Sequence, residues 1–254
     1  MTKALRTLSV ALLILATSCS SQTLKEPTDN EKRADVLLQA GVEALEKKEY
    51  SLALRNLLDA QKYNPQSALI LTDLGVAYAG KSDFAKAEEM WKKAIKADPK
   101  HSDARINLAL LNVRKKNFPE AERLLKEATR DPAYSKLDQV ALQLANIYQA
   151  QGRPLLVEQQ LKIAVQENSD LCPAWLRLGM IQKERGDYAE AAKSLKGSVN
   201  GTCYKNPHAH YEIATLYLKA HEMHLAKTKL LEIIQLFPAS EWASRAEETL
   251  NMIR

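Results

Sequence analysis

The chain has 254 residues, of which 46% are hydrophobic and 26% charged, and its formal net charge is +5. The near balance of 36 basic against 31 acidic residues argues against a nucleic-acid partner, which would show a concentrated basic face. Only 8 glycines and no alternating apolar pattern exclude a β-rich fold and point to an all-α chain.

The first eighteen residues, Met1–Ser18, carry Lys3 and Arg6, no acidic residue, and an apolar run from Leu8 to Ala16. That is the pattern of a secretory signal, and the run is too short to span a bilayer stably. It leads into Leu15-Ala16-Thr17-Ser18-Cys19. This stretch resembles a bacterial lipobox, in which small residues precede a cysteine that is acylated and becomes the mature N-terminus. Ala16 stands where that pattern usually has Leu, and an ordinary cleaved secretory signal is the alternative reading. Acylation at Cys19 would supply the two-chain anchoring that stable membrane attachment needs. Ser20 and Ser21 stand where retention at an inner membrane usually places Asp, which favours an outer membrane, periplasmic face. Loss of Lys3 and Arg6 with the signal lowers the net charge from +5 to +3. Residues 19–33 are polar and contain Pro27, and they read as the lipidated N-terminus and a flexible tether.

From residue 34 the chain repeats itself. The sharpest copy is 68–101, with Leu71, Leu74, Gly75, Tyr78, Ala87, Trp91, Ala94 and Pro99 at positions 4, 7, 8, 11, 20, 24, 27 and 32 of a 34-residue unit. Leu71, Leu74 and Tyr78 share one face of a first helix, and Ala87, Trp91 and Ala94 share one face of a second. Gly75 and Ala87 are small where the helices cross, which leaves room for Trp91. This is the signature of the tetratricopeptide repeat. The same ruler places further units at 34–67, 102–137, 138–171, 172–206 and 207–240, followed by a capping helix over 241–254. The expected fold is a right-handed α-solenoid of about six such repeats. In the third unit the closing Pro132 comes one residue early. The fourth is the least regular, with Val157 in place of a small residue and Pro154 in its turn, so it is the expected weak joint.

Residues at the signature positions hold hairpins together, so function belongs to the face they leave free. In tetratricopeptide arrays the concave face comes from first helices at positions 2, 5, 9 and 12. Most of those positions are apolar here. Leu38, Val42, Leu69, Val76, Ile106, Leu110, Val113, Leu142, Leu176, Met180, Tyr211 and Leu218 make up the expected partner groove, together with Asn146. Such a groove suits an amphipathic helix or an extended apolar peptide. A carboxylate clamp of the kind some arrays carry needs several cationic and amide residues there, and only Asn146 and Lys183 are present.

Cys172 and Cys203 fall at the start of the first helix and the end of the second in the fifth unit. An antiparallel hairpin brings those two ends together, within reach of a disulfide if the chain is exported; two free thiols are the alternative. His208 and His210 are a helix length from His221 and His224, so the four cannot converge on one metal ion. No phosphate loop, nucleophile elbow or H-E-x-x-H motif is present, so neither an enzyme nor a cofactor is expected.

A lipobox, a short tether and six tetratricopeptide repeats together resemble the type IV pilus secretin pilotins of the PilF/PilW/Tgl type. The resemblance implies a lipoprotein of the outer membrane that helps a secretin subunit localise and assemble into its multimer. The groove would then receive a segment of the secretin. An adaptor that scaffolds peptidoglycan hydrolases or other cell-envelope complexes is the second reading, and self-association as a structural dimer the third.

Overall fold

A computed structural model describes residues 28–130 and 134–253, and these are helical throughout, without a strand. The signal segment, Cys19, most of the tether and Pro132 lie outside the described residues. Six helical hairpins follow one another. They are α1 (Asp29–Glu46) with α2 (Tyr50–Tyr63), α3 (Ala68–Gly80) with α4 (Phe84–Ala97), and α5 (Ser102–Arg114) with α6 (Phe118–Ala128). Then come α7 (Leu137–Ala150) with α8 (Pro154–Glu167), α9 (Cys172–Arg185) with α10 (Tyr188–Gly197), and α11 (Pro207–Lys219) with α12 (Met223–Leu236). Helix α13 (Glu241–Met252) closes the array, capped by the Ser240 hydroxyl, which accepts from the Ala243 N–H.

The helix starts earlier than hydrophobic periodicity predicts. Residues 29–33, expected to belong to the tether, form the first turn of α1. The cause is a capping box: the Thr28 hydroxyl accepts from the Glu31 N–H, and the Glu31 carboxylate accepts from the Thr28 N–H. Two polar residues thus satisfy orphan backbone groups without any apolar signal.

One turn joins the two helices of every hairpin. Lys48, Ser82, Lys116, Gly152, Gly186 and His221 all have left-handed backbone, with φ between 58° and 91°. Each is the fifteenth residue of its repeat. The N–H of the next residue reaches back to the carbonyl five positions earlier, as in Glu49 to Ala44, Asp83 to Tyr78 and Glu222 to Tyr217. This is a Schellman closure of the first helix. Only two of the six positions have the glycine that such a backbone favours.

Packing inside each hairpin follows the small-against-large rule. A Cβ on Gly75 would stand 2.3 Å from Nε1 of Trp91, and one on Gly179 would stand 2.6 Å from Cγ of Leu195. The indole N–H of Trp91 donates to the Thr72 carbonyl at 3.1 Å, so the buried ring leaves no donor unpaired. Buried apolar side chains form one continuous cluster from Ala34 to Leu178. The fourth repeat, expected as the weak joint, lies inside it: Val140, Leu144, Ile147, Tyr148, Val157 and Leu161 are all buried. Val157 fills the place of the small residue without opening the core. The cluster instead divides at the fifth and sixth repeats, where Leu176, Leu195, Ala209 and Leu216 form a second group and Ala214, Leu230, Ile233 and Ala246 a third.

That division lies beside an irregular connection. Helix α10 is four residues shorter than α4, α8 or α12, and a 3₁₀ turn, Gly201–Lys205, follows it. Cys203 in this turn is joined to Cys172 at the start of α9, with Cα atoms 5.3 Å apart. The turn is also held by His210, which is fully buried in α11 and donates from Nε2 to the Tyr204 carbonyl at 2.8 Å. Burial pushes the His210 imidazole toward its neutral form.

Candidate functional site

The first helices of the hairpins carry the predicted groove residues, and the structure divides them into two unlike halves. In the first three repeats the surface is apolar and open. Leu69 is 57% exposed and Leu110 is 38% exposed, while Leu38, Val42, Val76, Ile106 and Val113 are half-buried beside them. Val76 and Leu110 border a pocket of about 240 Å³ between α3 and α5, with Phe84, Asn107 and Arg114 around its rim. The Arg114 guanidinium sits 4.0 Å above the Phe84 ring and keeps that ring covered.

From α7 onward the surface changes. Leu142 and Leu218 stay half-buried, and Asn146 is exposed. Leu176, expected to face a partner, is 8% exposed and packs in the second core cluster. It lies in one buried group with Ala209, Ile213 and Leu216 of α11, the first helix of the next repeat. Tyr211, also expected to face a partner, instead meets the capping helix. Its hydroxyl is 2.9 Å from the Thr249 hydroxyl and its ring lies against Trp242. Lys183, read as a groove cation, is buried and paired with the Glu212 carboxylate, and it also donates to the Thr215 hydroxyl at 2.9 Å. His208 stacks on Trp242 with ring centroids 4.0 Å apart and planes 9° from parallel.

The sequence reading left out a further row on the same helices. Position 6 of the repeat is Gln39, Asp73, Asn107, Gln143, Arg177 and Glu212, polar in every unit. Asn107 lines the first pocket, and Arg177 lines a second of about 270 Å³ between α7, α8 and α9. Met180, Ile181, Pro154 and Val157 give that pocket an apolar floor, and Gln149, Arg153 and Glu184 stand at its edge. Arg177 donates from its two Nη atoms to Asn146 Oδ1 at 2.9 Å and to Gln149 Oε1 at 2.6 Å. Asp73, between the apolar residues of α3, has its carboxyl pushed up to about 6, first by burial and then by the neighbouring Asp103 charge. Extending the repeat ruler by one position would have found this row; an apolar search passed over it because the row is polar.

The histidines have separate structural tasks. His221 occupies the left-handed turn position, His210 is core, and His208 stacks on the cap. Among the described residues no group of three or more His, Cys, Asp or Glu side chains is gathered as a metal site would need. Nor is any helix among them long and apolar enough to cross a membrane.

Residues 52–241 match the family described as tetratricopeptide repeat protein 21 C-terminal ARM domain. No curated protein matches the sequence. Among solved structures the fold is similar to that of pilF from Pseudomonas aeruginosa, with a TM-score of 0.72 and 18% identity over 87% of this chain and 100% of that one. It is similar as well to PilW, a widely conserved type IV pilus biogenesis factor, with a TM-score of 0.63 and 19% identity over 84% of this chain and 97% of that one. A third is YrrB, a tetratricopeptide protein with an unusual peptide-binding site, at a TM-score of 0.60 and 19% identity, covering 76% of this chain and 97% of that one.

Proposed function

The chain belongs to the tetratricopeptide repeat protein 21 C-terminal ARM domain family, and from that premise we propose that it is a lipid-anchored scaffold whose concave face receives a segment of a partner protein. The carrying observation is the open apolar surface of the first three repeats. Leu69 and Leu110 stay exposed there although nothing in the hairpin signature requires an apolar residue at either position. The partner proposed is a type IV pilus secretin subunit, and the chain would promote its localisation and multimer assembly as a pilotin. The likeness in fold to pilF and PilW supports that choice, and so does the lipobox-like sequence ending at Cys19. Acyl chains on Cys19 would hold the scaffold to the outer membrane on its periplasmic face.

Affinity capture with the acylated full-length protein tests this reading. The secretin is expected among the captured proteins, and Leu110→Asp and Met180→Asp are expected each to reduce its recovery at least tenfold. A charge placed in an apolar contact costs about 2 kcal/mol or more without unfolding the hairpin that carries it. Capture of peptidoglycan hydrolases in place of a secretin would replace the pilotin reading with the envelope-adaptor one. Radiolabelled palmitate should enter the protein and be lost in Cys19→Ala; an unlabelled parent protein rules out the lipid anchor.

A further inference from the structure

The two ends of the array are finished differently. Helix α13 covers the last hairpin and turns Ser244, Glu247, Glu248 and Asn251 to the outside, as a terminal cap must. No such cap precedes α1 among the described residues. The third residue of each later first helix, Ile70, Ala104, Val140, Ala174 and Ala209, is at most 1% exposed. Its counterpart on α1, Val36, is 69% exposed. Glu43 is likewise exposed where Ala77, Leu111, Ile147 and Leu216 of later units are buried. The face by which each later hairpin packs on its predecessor is therefore open on α1. A shallow recess beside it is lined by Arg33, Val36, Leu37 and Tyr63.

The stripe along this side of α1 reads Asp29, Arg33, Val36, Ala40, Glu43 and, at the C-cap, Lys47. It is self-complementary. Set it against an identical helix running the opposite way, about a two-fold axis at the level of Leu38. Asp29 then meets Lys47, Arg33 meets Glu43 and Val36 meets Ala40, and each meeting occurs twice. Among the described residues Asp29, Glu43 and Lys47 have no ion pair, and Arg33 lies only over the Tyr63 ring, 5.9 Å from its centroid. The four charges are thus free to pair across such a contact. Leu38 and Val42, the groove residues of α1, lie on another side of the helix, so the pairing leaves the concave face clear.

We infer that two copies of this chain associate through α1, antiparallel about a two-fold axis, with Val36 and Ala40 at the centre and Arg33 of each copy against Glu43 of the other. This surface is separate from the groove and does not depend on the groove reading. Helix α1 is about 27 Å long, and one helix face buries well under the about 800 Å² per partner of a standard interface. The pair is therefore weak and forms at high micromolar concentration or where copies are crowded together. A pair offers two grooves at once, and so could hold a repeated partner at two of its subunits.

Sedimentation velocity tests it on the chain from Cys19 onward, which contains every described helix, with Cys19→Ser so that no acyl chain contributes. This parent should pass from monomer toward dimer between about 10 μM and about 1 mM. Arg33→Glu and Glu43→Arg should each weaken the dimer by about tenfold or more, because each sets like charges together twice. An equimolar mixture of the two variants should dimerise again, since each then meets the charge opposite to its own. Arg33 and Glu43 stand about three helical turns apart on α1, so the recovery cannot arise within one chain. Val36→Cys should react with a maleimide at the low concentration and be shielded at the high one. A parent that stays monomeric at the highest concentration overturns the proposal. Shielding of Val36→Cys at every concentration would then assign the edge to residues 19–27 of the same chain, and free labelling throughout would leave it to solvent or another protein. A dimer that neither charge reversal weakens, or a mixture that does not recover, places self-association on another surface and overturns it equally.

Discussion

Gly75 shows how one side chain sets the spacing of a hairpin. The missing Cβ is what allows the Trp91 indole to lie across α3 and donate to Thr72. Gly75→Ala forces the ring aside and breaks that bond, so it should destabilise the protein by about 2 kcal/mol, read from the urea midpoint at unchanged slope. Asp73 makes an opposite case, because its removal should help. A carboxyl held at about 6 when folded and about 4 when unfolded binds its proton more tightly in the folded state. Stability therefore falls as pH rises from about 4 to about 6 and stays lowered above that. Asp73→Asn should raise the unfolding midpoint at pH 8, by about 1 kcal/mol after solvent screening, and should have no effect at pH 3. A gain that persists at pH 3 would contradict the burial argument.

The turn is the element on which the array depends, and it is the element least visible in sequence. Residues at the fifteenth position are Lys48, Ser82, Lys116, Gly152, Gly186 and His221, which share no chemistry. What they share is a backbone conformation held by the Schellman bonds around them, so helix-closing backbone bonds overrode residue preference at four of six sites. Lys116→Gly and His221→Gly should each stabilise by about 0.5–1 kcal/mol, because a left-handed residue with a Cβ carries strain that glycine does not. The two sites are far apart and their effects should add in urea unfolding. The hairpins themselves were legible, since Leu71, Leu74, Trp91 and Ala94 recur at helical spacing with sizes that must interlock. The groove was only partly so. Leu69 and Leu110 stand open, but Leu176 and Tyr211 are claimed by the divided core and the capping helix. Neither claim is local to its repeat. Leu176 is buried with Ala209, Ile213 and Leu216 of the next repeat, and Tyr211 meets the Thr249 hydroxyl 38 residues away.

Among the described residues the buried apolar cluster divides within the fifth repeat, and a disulfide ties the start of α9 to the 3₁₀ turn of that repeat. In a repeat array each unit is stabilised mainly by its neighbours, so a defect at one junction stays local. The bridge between Cys172 and Cys203 removes unfolded-state freedom worth roughly 3 kcal/mol in the loop-entropy account. Replacing both cysteines with serine should raise amide hydrogen exchange in the 3₁₀ turn and in α11 to α13, and leave α1 to α8 as protected as before. A uniform loss of protection along the chain would mean that the array unfolds as one unit and that the divided core has no energetic meaning.

The unlike halves of the concave face give it a sense of orientation. Leucines and valines occupy the early repeats, and Arg177 with its two amides stands over an apolar floor further along. A segment matched to both halves and laid in end for end would bring its polar residues against Leu69 and Leu110 and its aliphatic side chains over the guanidinium. Such a face can therefore distinguish a sequence from its own reversal, which a uniformly apolar channel could not do.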